Sequence, residues 1–444
     1  MSHRRSAPRA IEVRSRATVE SQTWPRGRLA ARCGALSVAI LAVWLLTSSH
    51  GTAATIVAVS PFVAIGASLA TRAIGWTTWV AGPVLVMVLL HRRWFCRWLC
   101  PTGLLSEGVG SLFPFRENRA SAGDASAPRH GQRLAIARRF LARLPLGHWF
   151  ALMTFAGAVL GYPLFLWLDP LALLTSFLGA GWSDPLATST LLSAAGLSAV
   201  LALSLFAPGL WCMRICPLGA TQELLAAVCQ RLPAAKKTHA FGNDAAATGK
   251  PCHTGWSLAR RAVLAGGLGA AWAWAVGRRL AAARGVMRPP GAIDEARFRG
   301  VCVRCGNCLR ACPTKILYAD LGENGLSGLM SPVVKFDPGY CREDCRRCGD
   351  VCPSGAIARL APDEKKAARM GLAKVDVELC LLTDNRECSI CRNCCPYEAI
   401  TTVWSEEEYT MAVKIDADRC PGCGACEVAC PTSPEKAIVV HAQR

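Results

Sequence analysis

Between residues 302 and 430 the cysteines fall into four short runs, each closing on Cys-x3-Cys-Pro. Cys302, Cys305, Cys308 and Cys312 precede Pro313; Cys341, Cys345, Cys348 and Cys352 precede Pro353; Cys420, Cys423, Cys426 and Cys430 precede Pro431. The third run in chain order has a longer first gap: Cys380, Cys388, Cys391 and Cys395 before Pro396, with Cys394 left over. Thiolates about two residues apart wrap one [4Fe-4S] cubane, while the cysteine before proline reaches the neighbouring cubane in two-cluster ferredoxins. These runs supply four [4Fe-4S] clusters. Zinc sites normally use two separated cysteine pairs rather than one compact run. Cysteines so close in sequence also make poor disulfide partners. In the third run, Cys388, Cys391 and Cys394 would give ordinary gaps, but the fourth place then falls on Glu398. A long first gap is easier to accept than a carboxylate, so Cys395 is taken as the ligand, with Cys394 a small buried residue or a stand-in. Spacing does not say which runs exchange cysteines, adjacent or nested.

The 444 residues carry 50 Lys and Arg against 31 Asp and Glu. The excess is confined to one part: residues 1–284 hold 29 basic against 9 acidic residues, residues 285–444 hold 21 against 22. It lies beside apolar segments, where basic loops orient a chain in a bilayer, so nucleic acid is not expected as a partner. Four apolar stretches, 34–47, 74–90, 149–166 and 187–207, read as membrane crossings, the first three being short against the ~20 residues a span needs. The stretch 53–70, interrupted by Pro61 and Gly66, reads as a re-entrant or interfacial helix. Lys and Arg number 8 in residues 1–32, 10 in 91–147 and 7 in 210–261, against only Arg72 in 48–73 and none in 167–186. The amino terminus and both large loops are therefore expected on the cytoplasmic side. Trp44, Trp76, Trp79, Trp94, Trp149, Trp167 and Trp211 lie near span ends and read as interfacial anchors.

The apolar half repeats itself. SPFVAIGASL at 60–69 leads to WFCRWLCPTG at 94–103, and DPLALLTSFL at 169–178 leads to WCMRICPLG at 211–219. Each unit ends in Cys-x3-Cys-Pro, with Cys96 and Cys100, then Cys212 and Cys216. Cysteines four apart share a helix face, so the two pairs together offer a further four-cysteine cluster or a redox-active dithiol at the membrane edge. The bland alternative is a helix end with reduced cysteines in packing roles. His50, His91 and His148 lack a partner at ligand spacing, and haem is not expected. After the repeat, SLARRAVLAGGLGAAWAWAVGRR at 257–279 sets Arg260 and Arg261 before a Gly- and Ala-rich run. It reads as a twin-arginine export signal, with 262–277 a fifth crossing and 285–444 in the periplasm. Arg278, Arg279, Arg284 and Arg288 would then lie on the trans side, against the usual charge bias; the rival is an interfacial helix with a cytoplasmic cluster domain.

The chain resembles a fusion of two electron-transfer families of periplasmic quinol dehydrogenase systems. Cys96-x3-Cys100-Pro101 and Cys212-x3-Cys216-Pro217 resemble the NapH-type membrane protein. Arg260-Arg261, RPPGAIDEARF at 288–298 and the four runs resemble the NapG/MauM-type exported ferredoxin. The nitrous-oxide-reductase regulatory membrane protein is similar in the same regions. One departure is that residues 217–256 contain only Cys229 and Cys252, where the NapH type carries its own ferredoxin pair. The resemblance implies quinol oxidation at the membrane and passage of electrons to a periplasmic redox partner.

The expected architecture is an α-helical membrane domain, two repeated helix pairs plus a fifth signal-anchor helix, followed by an α+β ferredoxin-like domain with four [4Fe-4S] clusters. The divisions are a basic cytoplasmic tail, 1–32; the repeated membrane domain, 33–230; a cytoplasmic linker, 231–256; the signal anchor, 257–284; and the polyferredoxin domain, 285–444. The expected setting is the cytoplasmic (inner) membrane, multi-pass, among lipid and the quinone pool. The expected function is transfer of electrons from quinol through the clusters to a periplasmic redox protein, the chain being a possible quinol dehydrogenase component with no bond-making residue of its own. Glu107 and Asp169 are candidates to take the quinol's protons. The rival functions are a maturation factor supplying electrons for a partner's cofactor, and a membrane redox sensor.

Overall fold

The computed structural model describes residues 26–44, 52–112, 145–181, 188–229, 255–281, 285–384, 386–406 and 409–442. The tail 1–25 and most of the linker 231–256 lie outside these. The helical half contains α1 (Arg26–Trp44), α2 (Thr52–Ala58), α3 (Pro61–Thr71), α4 (Trp76–Leu90), α5 (Trp94–Trp98), α6 (Pro101–Leu112), α7 (Leu146–Val159), α8 (Pro170–Ala180), α9 (Thr188–Phe206), α10 (Pro217–Cys229) and α11 (Gly255–Ala281). By length and composition α1 and α9 are long and apolar enough to cross a membrane. α4 and α7 are shorter apolar helices, as is Val263–Gly277 within α11. The first span lies at Gly27–Trp44, earlier than the expected 34–47. The third ends at Val159 instead of 166, because Gly161 takes a positive φ of 90° and Pro163 cannot continue a helix.

The stretch 53–70 is a bent pair, α2 and α3, turning by 88° at residues 59–60. Pro61 explains the break: it has no N–H to offer α2 but suits the first turn of α3. The second repeat does the same with Asp169 and Pro170 at the start of α8. The two half-helix starts meet inside the bundle, where the Ser60 hydroxyl donates to Asp169 Oδ1 at 2.6 Å and the amides of Leu171 and Ala172 donate to Oδ2 at 3.0 and 3.1 Å. Both residues are fully buried. The positive ends of two helices thus converge on one carboxylate.

Helix α11 lies along α7. Its residues Ala265, Gly269 and Ala273 recur every four positions and form one small-residue stripe; a Cβ on Gly269 would stand 2.7 Å from the Met153 backbone. Such stripes let helix backbones approach closely enough for dispersion to bind them.

The second half begins with a buried helix, α12 (Glu295–Val301), and carries three two-stranded antiparallel sheets. These are β1 (Leu317–Ala319) with β2 (Pro332–Val334), β3 (Gly371–Val375) with β6 (Ile438–Ala442), and β4 (Ile400–Ser405) with β5 (Thr410–Ile415). Apolar residues of this half form one core with the helical half: Phe298, Val301, Cys305 and Cys352 join Phe62, Leu166 and Leu171. The contact has polar edges. Arg359 stacks on Trp76 at 4.4 Å and Arg304 on Trp167 at 5.2 Å, so these two tryptophans hold the cluster-binding half instead of serving as simple interfacial anchors. Trp211 also departs from the anchor reading, being 7 % exposed beside Cys212. Arg288 is sequestered as well: it pairs with Glu295 at 2.7 Å and stacks on Phe298 at 4.6 Å. Glu295 also pairs with Arg299, so one carboxylate serves both guanidiniums; the side chains of Arg278, Arg279 and Arg284 lie outside the described residues.

Among the described residues, the two halves meet at the end of the bundle where α7 finishes. α7 has Gly147 against the Cys216 carbonyl at its start and Gly157 against the Tyr162 carbonyl near its finish, where Gly300 of α12 also packs on Tyr162. Fourteen residues at 1.5 Å each separate those ends by about 20 Å.

Candidate cluster sites

Each cysteine run folds as a loop leading into a short helix: Asn307–Ala311, Arg347–Asp350, Ile390–Asn393 and Ala425–Ala429. Glycines permit the loop where a side chain would not fit. Gly422, φ 73°, and Gly424, φ 84°, have left-handed backbones, and a Cβ would reach 2.5 Å from the Gly371 carbonyl oxygen and 2.3 Å from the Phe336 ring respectively.

The runs exchange their last cysteines between neighbours. Cys302, Cys305 and Cys308 line one cavity with Cys352, here site I. Cys341, Cys345 and Cys348 line the next with Cys312, site II. Cys380, Cys388 and Cys391 share a third with Cys430, site III. The remaining group, Cys420, Cys423, Cys426 and Cys395, forms site IV: Cys395 lies close enough to act on the charge of Cys423 and Cys426. The Ala399 amide donates to Cys395 Sγ at 3.4 Å, as the Ile357 amide does to Cys352 Sγ at 3.4 Å. Cys394 instead turns its thiol towards the carbonyls of Cys391 and Ala425, at 3.4 and 3.5 Å.

This donor set suits a cubane. Four thiols ring each space, and the loop amides of Asn307, Gly349, Arg392 and Ala425 donate to Cys305, Cys348, Cys391 and Cys423, as thiolate ligands require. Among the described residues no three His, Cys, Asp or Glu side chains converge closely enough for a single metal ion. Burial, partly offset by the Asn307 amide, pushes Cys305 up to about 12, and burial with neighbouring sulfurs raises Cys308 well above the ordinary thiol range. Without a cation such sulfurs stay protonated; iron has to displace the protons. Cys430 shifts the other way: burial opposes ionisation, but the Thr432 hydroxyl and the amides of Thr432, Ala437 and Ile438 outweigh it and lower its pKa.

The four sites adjoin in the order I, II, IV, III. Site I touches the helical half through Cys305 and Cys352. Sites I and II share two runs, and so do III and IV. Sites II and IV join where the Cys341 amide donates to the Cys423 carbonyl at 2.9 Å.

At the other end of the bundle Cys96, Cys100, Cys212 and Cys216 line one cavity of about 430 Å³. Its contacts follow the repeat. The Gly103 amide donates to Cys100 Sγ at 3.3 Å, and the Gly219 amide to Cys216. Across the repeat, Gln222 Nε2 donates to Cys96 Sγ at 3.0 Å while the Ser106 hydroxyl lies 3.3 Å from Cys212 Sγ. Glu107 and Glu223 complete the relation, paired with Arg32 and Arg93 at 2.8 Å each. Ser106 and Gln222 lie six residues, and Glu107 and Glu223 seven, after Cys100 and Cys216. That shared offset was the signal for Ser106, Gln222 and Glu223, which reading the cysteines alone passes over. Of the candidate proton acceptors, Glu107 borders this cavity, while Asp169 is held as the cap of α8.

Two family models match: a 4Fe-4S dicluster domain over residues 301–356 and 386–433, and a 4Fe-4S binding domain over 73–119 and 189–235. The methylamine utilization ferredoxin-type protein MauM of Methylophilus methylotrophus is 39 % identical over 161 residues, 35 % of this chain and 70 % of that protein. The ferredoxin-type protein NapG of Escherichia coli is 41 % identical over 176 residues, 37 % of this chain and 76 % of that protein. The chain belongs to the NapG/MauM ferredoxin-type family. This ferredoxin-type protein is an iron–sulfur electron-transfer protein. No solved structure matches it.

Proposed function

We propose that this ferredoxin-type chain is fused to a NapH-like membrane domain and carries electrons from the quinol pool of the cytoplasmic membrane to a periplasmic redox protein. Sites I to IV each hold a [4Fe-4S] cluster. Cys96, Cys100, Cys212 and Cys216 hold a further one, a reading favoured by their convergence and by the match of a 4Fe-4S binding domain to both repeats. The observation that carries the proposal is the succession of adjoining sites, of which I borders the core shared with the apolar helices and III and IV contribute no cysteine to that core. Electrons enter at site I and leave at site III. The clusters supply one-electron carriers; the chain's own residues fix their spacing and, through N–H to sulfur hydrogen bonds, their potentials.

α11 runs alongside α7, joining the four-cysteine end to the end where α12 packs, which supports a trans position for residues 285–444. The segment from 376 to 409, which contains most of site III, has eight acidic residues against two basic ones. Trp404 and Tyr409 of the adjoining β4–β5 hairpin are 58 % and 78 % exposed. Such a surface suits a basic redox partner.

The test is anaerobic purification in lipid, with iron and zinc quantified and EPR spectra taken before and after adding reduced quinol. About 20 iron atoms per chain, four for each of five cubanes, and cluster signals that grow with quinol are expected. Full iron with no response would transfer the reading to a maturation factor.

A further inference from the structure

A second cavity, of about 400 Å³, lies where the two halves meet, between α3, the start of α4 and the loop carrying Cys352. Resting on the quinol reading above, we propose that the quinol headgroup binds here and gives its electrons directly to site I. Cys352 is in the wall of both this cavity and site I, so an occupant sits one sulfur from the first cluster. Trp76 and the Arg359 guanidinium stacked on it at 4.4 Å both line the cavity, an aromatic surface beside a cation against which a headgroup ring can pack. The Ser68 hydroxyl, bonded to Thr78, and the Thr71 hydroxyl, donating to the Ala67 carbonyl, keep lone pairs that can accept the two quinol O–H groups, and Thr77 and Ser354 also line the cavity. Ile74, between the lining residues Ala73 and Gly75, and Trp79, one helical turn on from Trp76, are 74 % and 77 % exposed and offer an isoprenoid tail apolar surface beside the cavity. The four-cysteine cavity is less suitable: four thiols and the guanidiniums of Arg93 and Arg97 take up its walls, and it lies at the opposite end of α7 from site I.

The chemistry balances with the chain's own carriers. Both quinol O–H bonds break and two C=O bonds form. A cluster held by Cys302, Cys305, Cys308 and Cys352 would take the two electrons one at a time, each passed on to one held by Cys341, Cys345, Cys348 and Cys312. Two protons go to water at the rim.

Ala73, exposed, and Thr71, half-buried, lie on the outer side of this cavity, and Ala73→Trp and Thr71→Phe fill it; Met213→Trp, at a side chain 60 % exposed, crowds only the rim of the four-cysteine cavity and leaves its four thiols in place. With whole protein in nanodiscs and decylubiquinol as the probe, either outer variant should slow quinol-driven cluster reduction at least tenfold, leaving dithionite-driven reduction and iron content unchanged. M213W should leave the quinol rate within twofold of wild type. The reverse pattern, or no change in any variant, overturns the assignment. Binding of oxidised decylubiquinone, measured by calorimetry, is read separately. Binding that A73W abolishes, in a wild type whose clusters quinol does not reduce, supports the cavity and sinks the electron-donor reading. No binding to wild type overturns the cavity itself.

Discussion

Cys394 and Cys395 are adjacent thiols with different surroundings. Cys395 Sγ accepts an amide, as a thiolate ligand does, whereas Cys394 faces two carbonyls, which only a protonated thiol can satisfy. Cys395→Ala should therefore lose the site IV cluster, about four iron atoms, while Cys394→Ala keeps full iron; iron analysis with EPR distinguishes them, and the opposite result would exchange their roles. The Gln222 bond to Cys96 has a different consequence, because a hydrogen bond to sulfur stabilises the more negative, reduced cluster. Losing a bond worth about 1 kcal/mol corresponds to roughly 40 mV for one electron. Gln222→Leu should lower the midpoint of the four-cysteine cluster by about that amount in a redox titration, without loss of iron. An unchanged midpoint would mean that Gln222 does not hold a cluster ligand.

Among the elements, the paired half-helices α3 and α8 were visible as a sequence repeat, but their meeting was not. Alternating Ser-Pro and Asp-Pro marks two helix starts; nothing in the letters says that the caps touch. Asp169→Ala removes the cap of α8 and strands the Ser60 hydroxyl in a dry interior, for a cost of about 2 to 4 kcal/mol. Ser60→Ala should cost less, since Asp169 keeps two amide donors. Denaturant titration in detergent ranks the two, and equal costs would show that the pair is not coupled. Gly269→Leu tests the α7–α11 contact: with no room beside Met153, it should cost about 1 to 3 kcal/mol by the same measurement.

For the whole molecule the prediction concerns sidedness. Protease added outside spheroplasts should degrade residues 285–444, and Arg260→Lys with Arg261→Lys should leave that domain protected within the cell; protection of the wild-type domain would instead place it in the cytoplasm. The exit surface makes a second demand. Charge reversal by Glu398→Lys with Glu406→Lys should cut reoxidation of the dithionite-reduced protein by cytochrome c, a basic electron acceptor, at least fivefold at low salt. The difference should shrink at high salt as screening sets in. A rate indifferent to both would show that partners do not dock there.

The sequence alone determined what is local. Thiols at two- and three-residue gaps dictate cluster loops because ligands of one cubane must be nearly contiguous, and the Pro at the start of each half-helix dictates where a new helix begins. It left open what depends on long-range closure. That adjacent runs exchange Cys312 with Cys352 and Cys395 with Cys430, that site II adjoins site IV and not site III, and that Cys96 and Cys212 meet across more than a hundred residues were settled only by the tertiary structure. Spacing constrains a loop's own geometry, whereas the partner of each loop is chosen by the packing of surfaces distant in sequence.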